Sequence, residues 1–200
     1  MAGCENFTLV QGDVMQQDLA ALVGEHFGGL RPILCANLPY NITTPVITAF
    51  LEAGCFSAIT VMIQREVARR ICAAPGSSDY GAFSVFCQYY AETELLFDVP
   101  PECFLPAPKV TSAVVRLAPR KAPPQTLVDD KTFFRVVKAA FAQRRKTLLN
   151  SLSSGGGYSK DLLHSVLAEC GLDGTIRGER LGIDAFAELA FCLQSNSKND

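Results

Sequence analysis

The sequence predicts an α/β fold followed by a small, all-helical domain. Three observations carry this reading. Short apolar runs at residues 32–36, 58–63, 94–99 and 112–117 have the length and content of buried strands. Helical patterns separate the first three of them, as in βαβ units. A Pro-rich stretch at residues 119–125 then reads as a linker, and beyond it the apolar spacing is wholly helical. The expected division is residues 1–120 and residues 121–200.

Taken in order, residues 7–13 (Phe-Thr-Leu-Val-Gln-Gly-Asp) read as a strand that ends in a polar turn. A helix is expected over residues 18–27. The run at 32–36 leads into Asn37-Leu38-Pro39-Tyr40, and Thr43-Thr44-Pro45 then opens a second helix. A hydroxyl cap, Pro at the first helical position and Gly54 just past the end define its limits. A polar loop at the carboxyl end of a parallel strand is where open α/β sheets bind ligands.

Residues 65–73 read as a helix whose arginines (Arg65, Arg69, Arg70) occupy a solvated face, and Gly76-Ser77-Ser78-Asp79 as a loop. Over residues 82–91 the positions of Phe83, Phe86, Tyr89 and Tyr90 follow helical spacing, which predicts core packing for them. Pro100, Pro101, Pro106 and Pro108 stiffen a loop around Phe104, so that this ring can form one wall of a pocket.

In the helical part, Lys131, Arg135, Lys138 and Arg145 fall on one helical face, with Phe134, Val137, Phe141 and Leu148 on another. Residues 131–150 hold six basic side chains and no acidic one, a composition suited to phosphate contact. Residues 151–159 read as a Gly/Ser loop. Helices are expected over 162–170 and 183–193.

Composition narrows the classes. With 200 residues and 48% apolar content the chain can build a substantial core. No apolar run reaches the length of a membrane span, and the N-terminus lacks a basic-then-apolar signal pattern, which predicts a cytoplasmic protein. The eight cysteines show no CxxC spacing and neither histidine is near one, so buried reduced thiols are expected rather than zinc or disulfides. Residues 1–100 carry four basic and ten acidic groups, net −6, and residues 101–200 fourteen and ten, net +4. Nucleic-acid contact therefore belongs to the second half.

Asn37-Leu38-Pro39-Tyr40 suggests methylation of an exocyclic base amine. Such a nitrogen is a poor nucleophile, because its lone pair is conjugated into the ring. Two acceptors on its hydrogens, the Asn37 side-chain oxygen and a main-chain carbonyl at Leu38 or Pro39, would favour a more tetrahedral nitrogen. Tyr40 offers a flat face to an unstacked base.

The nine residues from Asn37 to Pro45 resemble the signature loop of the small-subunit (16S) rRNA adenine N6,N6-dimethyltransferases, the family that confers kasugamycin sensitivity. Gln64-Arg65-Glu66-Val67-Ala68, Phe104-Leu105-Pro106-Ala107-Pro108-Lys109-Val110 and Phe141-Ala142-Gln143-Arg144-Arg145-Lys146 are similar to further family segments, in family order. The resemblance implies a Rossmann-like class I methyltransferase sheet and S-adenosylmethionine as donor. Asp13 and Asn37 would contact the donor, and Asn37, Leu38, Pro39, Tyr40 and Phe104 would hold the target adenine. Lys109, Lys138, Gln143, Arg144, Arg145 and Lys146 would face RNA.

The implied partner is small-subunit rRNA within a pre-30S particle, bound by a monomer with no metal and no membrane. The resemblance begins at the family's third strand, so the expectation is a sheet lacking the first two strands. Its Gly-rich donor loop would be absent and donor binding impaired. The strand at 7–12 should then either fray or pair with the 32–36 edge. Two other functions fit the same residues: an RNA-binding or ribosome-assembly protein without catalysis, and an N6-adenine DNA methyltransferase.

Overall fold

The computed structural model describes residues 6–143 and 145–196. They form two compact units, residues 6–65 with Thr93–Pro119, and Glu66–Glu92 with residues 120–143 and 145–196.

The first unit is built on a sheet of β1 (Ile33–Asn37), β2 (Ala58–Gln64), most of β3 (Ala91–Val99) and β4 (Ser112–Pro119), in the order β1-β2-β4-β3. All four strands stand where the apolar runs predict them. β1 and β2 are parallel, with Ile33 opposite Ala58 and Asn37 opposite Met62. β2 and β4 are antiparallel, with Ile59 opposite Leu117 and Gln64 opposite Ser112. Alternate residues of central β2 (Ile59, Val61, Ile63) are fully buried, the period-2 pattern of a strand with one face in the core. Val46, Ile47, Phe50 and Leu51 of α2 (Thr43–Glu52) are buried in the same unit.

Three expectations in this unit meet the structure differently. Residues 7–12 form no strand: among the described residues nothing pairs with them or with the outer edge of β1, and Leu9 is 80% exposed. A strand exists only through its ladder, and here no partner completes one. The α2 cap is not a hydroxyl. Ile42 occupies the cap position without a side-chain bond, and Pro45 lies at the third helical position rather than the first. The expected helix at 18–27 does form, as α1 (Leu19–His26), with the Asp18 carboxylate accepting from Ala21 N at 2.9 Å.

The second unit is helical: most of α3 (Arg65–Ile71), then α4 (Ala82–Tyr90), α5 (Asp130–Ala140), α6 (Leu148–Gly156), α7 (Lys160–Glu169) and α8 (Ile183–Asn196). Its division from the first unit differs from the one expected at residue 120, because Val85 and Tyr89 of α4 share a core with Phe133 and Val136 of α5. Tyr89 further donates to the Asp130 carboxylate at 2.6 Å and accepts from Gln125 Nε2 at 3.1 Å. Of the four aromatic positions of α4 expected in the core, Tyr89 is buried, whereas Phe83, Phe86 and Tyr90 stay partly exposed.

The basic stripe is shorter than its spacing implies. Phe141 ends α5 and the Thr147 hydroxyl caps α6, so Arg145 and Leu148 do not continue the α5 faces. The Gly/Ser segment is not a loop: residues 151–156 are helical, and Gly157 ends them in the left-handed conformation at φ 72°. Leu148, Leu149 and Leu152 bury one side of α6, and a Cβ on Gly155 would come within 2.9 Å of Ala142 Cβ and 3.2 Å of Ala139 O. Close helix packing thus overrides the poor helical propensity of glycine.

The cysteines are free among the described residues, but only Cys87 is buried, and Cys35 and Cys103 are exposed. Cys35 shares the exposed face of β1 with Ile33 and Asn37. Among the described residues no helix is long and apolar enough to cross a membrane, and no group of His, Cys, Asp or Glu could hold a metal ion.

Candidate functional site: an aromatic-walled cavity at the end of β1

The first unit contains a cavity of about 320 Å³, lined by Asn37, Leu38, Pro39, Tyr40, Phe104, Pro106 and Pro108. Its size is at the lower end of the range for small-molecule sites. Five of the seven are the residues expected at the target base. They converge because β1 and the 100–108 loop are brought to one end of the sheet.

Each wall has a local cause. Leu38 N donates to Met62 O at 3.1 Å, which carries the β1–β2 register one residue into the loop. Leu38 is 7% exposed and anchors the loop. Tyr40 begins a 3-10 turn (Tyr40–Ile42), and its hydroxyl lies 2.7 Å from Ser112 Oγ at the start of β4. Opposite, a 3-10 turn at Pro101–Cys103 sets Phe104, whose N–H donates to Pro101 O at 3.1 Å. Neither the Tyr40 nor the Phe104 ring packs on another aromatic ring among the described residues.

The polar groups are few. Asn37 is exposed, and among the described residues its side chain makes no hydrogen bond. Pro39 O already accepts from Ile42 N at 3.2 Å and from Thr43 Oγ1 at 3.1 Å. Of the two main-chain acceptors that the sequence offered, the Leu38 carbonyl is therefore the better one. Among the described residues of the lining the titratable side chain is Tyr40, hydrogen-bonded to Ser112. The cavity can sandwich a flat ring and accept hydrogen bonds from an amine at its edge.

Sequence reasoning missed Thr43 and Ser112 as parts of this site. A threonine near a helix start reads as a cap, and a buried serine at a strand start carries no signal of what it will bond across 72 positions of chain.

The remaining expected residues lie elsewhere. Asp13 is exposed and outside the cavity lining; it caps a 3-10 turn (Val14–Gln16), and its Oδ1 accepts from Met15 N at 2.9 Å. Lys109 is exposed in the first unit, and Lys138 is exposed on α5 of the second. Gln143, Arg145 and Lys146 share the turn between α5 and α6, where Gln143 Nε2 donates to Ser154 Oγ at 3.1 Å and Lys146 N to Gln143 O at 2.9 Å. Arg144 lies outside the described residues.

Comparison with known proteins gives one consistent result. The family model for ribosomal RNA adenine dimethylase matches residues 2–175. The chain is 44% identical over 189 residues to a ribosomal RNA small subunit methyltransferase A from Caldanaerobacter subterraneus, a match that covers 94% of this chain and 70% of the relative. It is 40% identical over 201 residues to the protein of the same name from Lachnoclostridium phytofermentans, covering 99% of this chain and 69% of that one. Among solved structures, a dimethyladenosine transferase from Plasmodium falciparum superposes with a TM-score of 0.76 at 22% identity, over 98% of this chain and 75% of the other. The 23S rRNA methyltransferase ErmE gives 0.58 at 23% identity, over 88% and 76%. These two likenesses establish the fold as Rossmann-like.

Proposed function

The chain belongs to the ribosomal RNA adenine dimethylase family, and we propose that its cavity receives one unstacked adenine of small-subunit rRNA for methylation at N6. The observation that supports this most directly is the cavity itself: two aromatic walls with an unengaged carboxamide at the end of β1. In the proposed pose the base lies between Tyr40 and Phe104. The Asn37 side-chain oxygen and the Leu38 carbonyl accept from the two N6 hydrogens, which localises the lone pair on nitrogen and aims it outward. Thr43 and Ile42 hold the Pro39 carbonyl, and Ser112 holds the Tyr40 ring, so the loop is set before substrate arrives.

The donor we assign is S-adenosylmethionine, whose sulfonium supplies an electrophilic methyl group. We assign Asn37 a contact to the donor as well as to the base. Asp13 fits the donor's adenine amine by chemistry, as an exposed carboxylate with one oxygen committed to Met15 N. Lys109, Lys138, Gln143, Arg144, Arg145 and Lys146 would meet rRNA phosphates and position the substrate without choosing the base. We take the working form to be a cytoplasmic monomer.

Incubating the chain with small-subunit rRNA and millimolar labelled S-adenosylmethionine, followed by nucleoside mass spectrometry, tests the reading. Dimethyladenosine should form, and Asn37→Ala should reduce it by at least about a hundredfold, with RNA affinity unchanged. An Asn37→Ala rate near that of the parent would overturn the role of Asn37.

A further inference from the structure

The second unit carries an aromatic array that the cavity does not use. Phe83 stacks on Phe86 at 6.3 Å with an 8° angle between planes. Phe86 lies 5.0 Å from Tyr90 and 5.5 Å from Phe134, and Tyr90 stacks on Phe134 at 5.8 Å and 13°. All four rings are partly exposed. Tyr90 and Phe134 rest against the core of this unit, whereas Phe83 and Phe86 are not part of that cluster. The array is therefore anchored at one end and partly exposed at the other.

Its charge surroundings are asymmetric. On α5, Lys131 and Lys138 lie three residues before and four residues after Phe134, so the basic stripe borders the face that carries this ring, and Arg135 is adjacent in sequence. All three are exposed, and among the described residues none forms an ion pair. Of the acidic groups nearby, Glu92 pairs with Arg120, while Asp130 accepts from Tyr89 and Tyr90 and Asp129 from the N–H and hydroxyl of Thr132, so the three cations face two carboxylates that have only neutral partners among the described residues. What remains is a set of partly exposed ring surfaces bordered by three cations that form no ion pair among the described residues. Single-stranded nucleic acid fits that pairing, since bases stack on aromatic faces while phosphates meet the cations.

We propose that Phe83, Phe86 and Phe134, with Lys131, Arg135 and Lys138, form a docking platform for an unpaired stretch of the substrate RNA, separate in its residues from the Asn37 cavity. The proposal rests on the rRNA reading above and adds a second point of contact to it. Its role is to hold the strand, and no chemistry takes place there.

The chain contains no tryptophan, so Phe86→Trp introduces a single fluorescent reporter into the whole chain. The probe is an unstructured ten-nucleotide RNA labelled with fluorescein, followed by anisotropy, and the same RNA unlabelled, followed by tryptophan emission. Emission should be quenched with the midpoint seen by anisotropy. Phe83→Leu should weaken binding about tenfold with the salt dependence unchanged. Lys131→Gln with Lys138→Gln should instead flatten the salt dependence, by a slope of about 1.4.

Anisotropy that rises with no quenching would place the RNA elsewhere and overturn the platform, leaving the methyltransferase reading intact. Absence of both signals would also overturn it, while dimethyladenosine formation tests the methyltransferase reading separately. Melting curves identify a variant that fails to fold; should Phe83→Leu be one, the quenching of Phe86→Trp decides alone.

Discussion

The hydroxyls of Tyr40 and Ser112 lie 2.7 Å apart, joining the loop after β1 to the first residue of β4. That bond fixes the tilt of the ring that forms one wall of the cavity. A hydrogen bond between side chains contributes about 1 kcal/mol. Ser112→Ala and Tyr40→Phe should each lower stability by about that amount, and the double variant should cost little more than either alone. Chemical denaturation of the three variants measures the coupling; strictly additive losses would show that the bond contributes nothing.

Thr43 has an analogous task within the loop. Its hydroxyl donates to Pro39 O at 3.1 Å, four residues back. Thr43→Val keeps the shape and removes the donor. Stability should fall by about 1 kcal/mol, and methyl transfer should fall with it as the Leu38–Pro39 main chain loosens. Unchanged transfer would mean that the Ile42 bond to Pro39 O holds the loop by itself.

Two helical glycines should respond in opposite directions. Gly24 in α1 has nothing within 4 Å of a built Cβ, so Gly24→Ala should stabilise by about 0.5–1 kcal/mol. At Gly155 the same change places Cβ 2.9 Å from Ala142 Cβ and 3.2 Å from Ala139 O. Overpacking of that kind costs about 1–3 kcal/mol, which outweighs the propensity gain. Melting temperatures of the two variants measure both effects, and a stabilised Gly155→Ala would show that α5 and α6 can separate freely.

Alkali should loosen the second unit. Burial, with the bond to Asp130 adding to it, pushes the Tyr89 phenol up to about 12, and burial pushes Tyr80 up to about 12 as well. In the unfolded chain both ionise near pH 10. The neutral folded phenols therefore contribute stability that is fully present below about pH 10. It is lost as pH rises through the folded value of about 12. Urea midpoints should fall over that window, and more shallowly in a Tyr80→Phe, Tyr89→Phe double variant. Equal slopes for parent and double variant would remove these two groups as the cause.

The four strands, most of the helices and the cavity's two aromatic walls were legible in the residues alone. Strands β1 to β4 stand out as apolar runs, but only β2 and β4 bury several of their residues; β1 buries none and β3 only Ala91. Tyr40 and Phe104 were legible because each sits in a polar or proline-stiffened loop beside such a run, where a large ring has no local reason to be. Other features depend on partners distant in sequence, and these emerged only with the folded chain. Leu9 and Val10 have the residues of a strand, yet nothing among the described residues pairs with them. Ser153 and Gly155 have the residues of a loop, yet they are helical because α6 packs closely on the end of α5. Asp13 commits a carboxylate oxygen to Met15 N, Thr43 turns from cap to brace, and the α5 stripe stops at Lys138. Local pattern fixes what a segment can become; the availability of a ladder, a neighbouring helix or a carbonyl decides which possibility is realised.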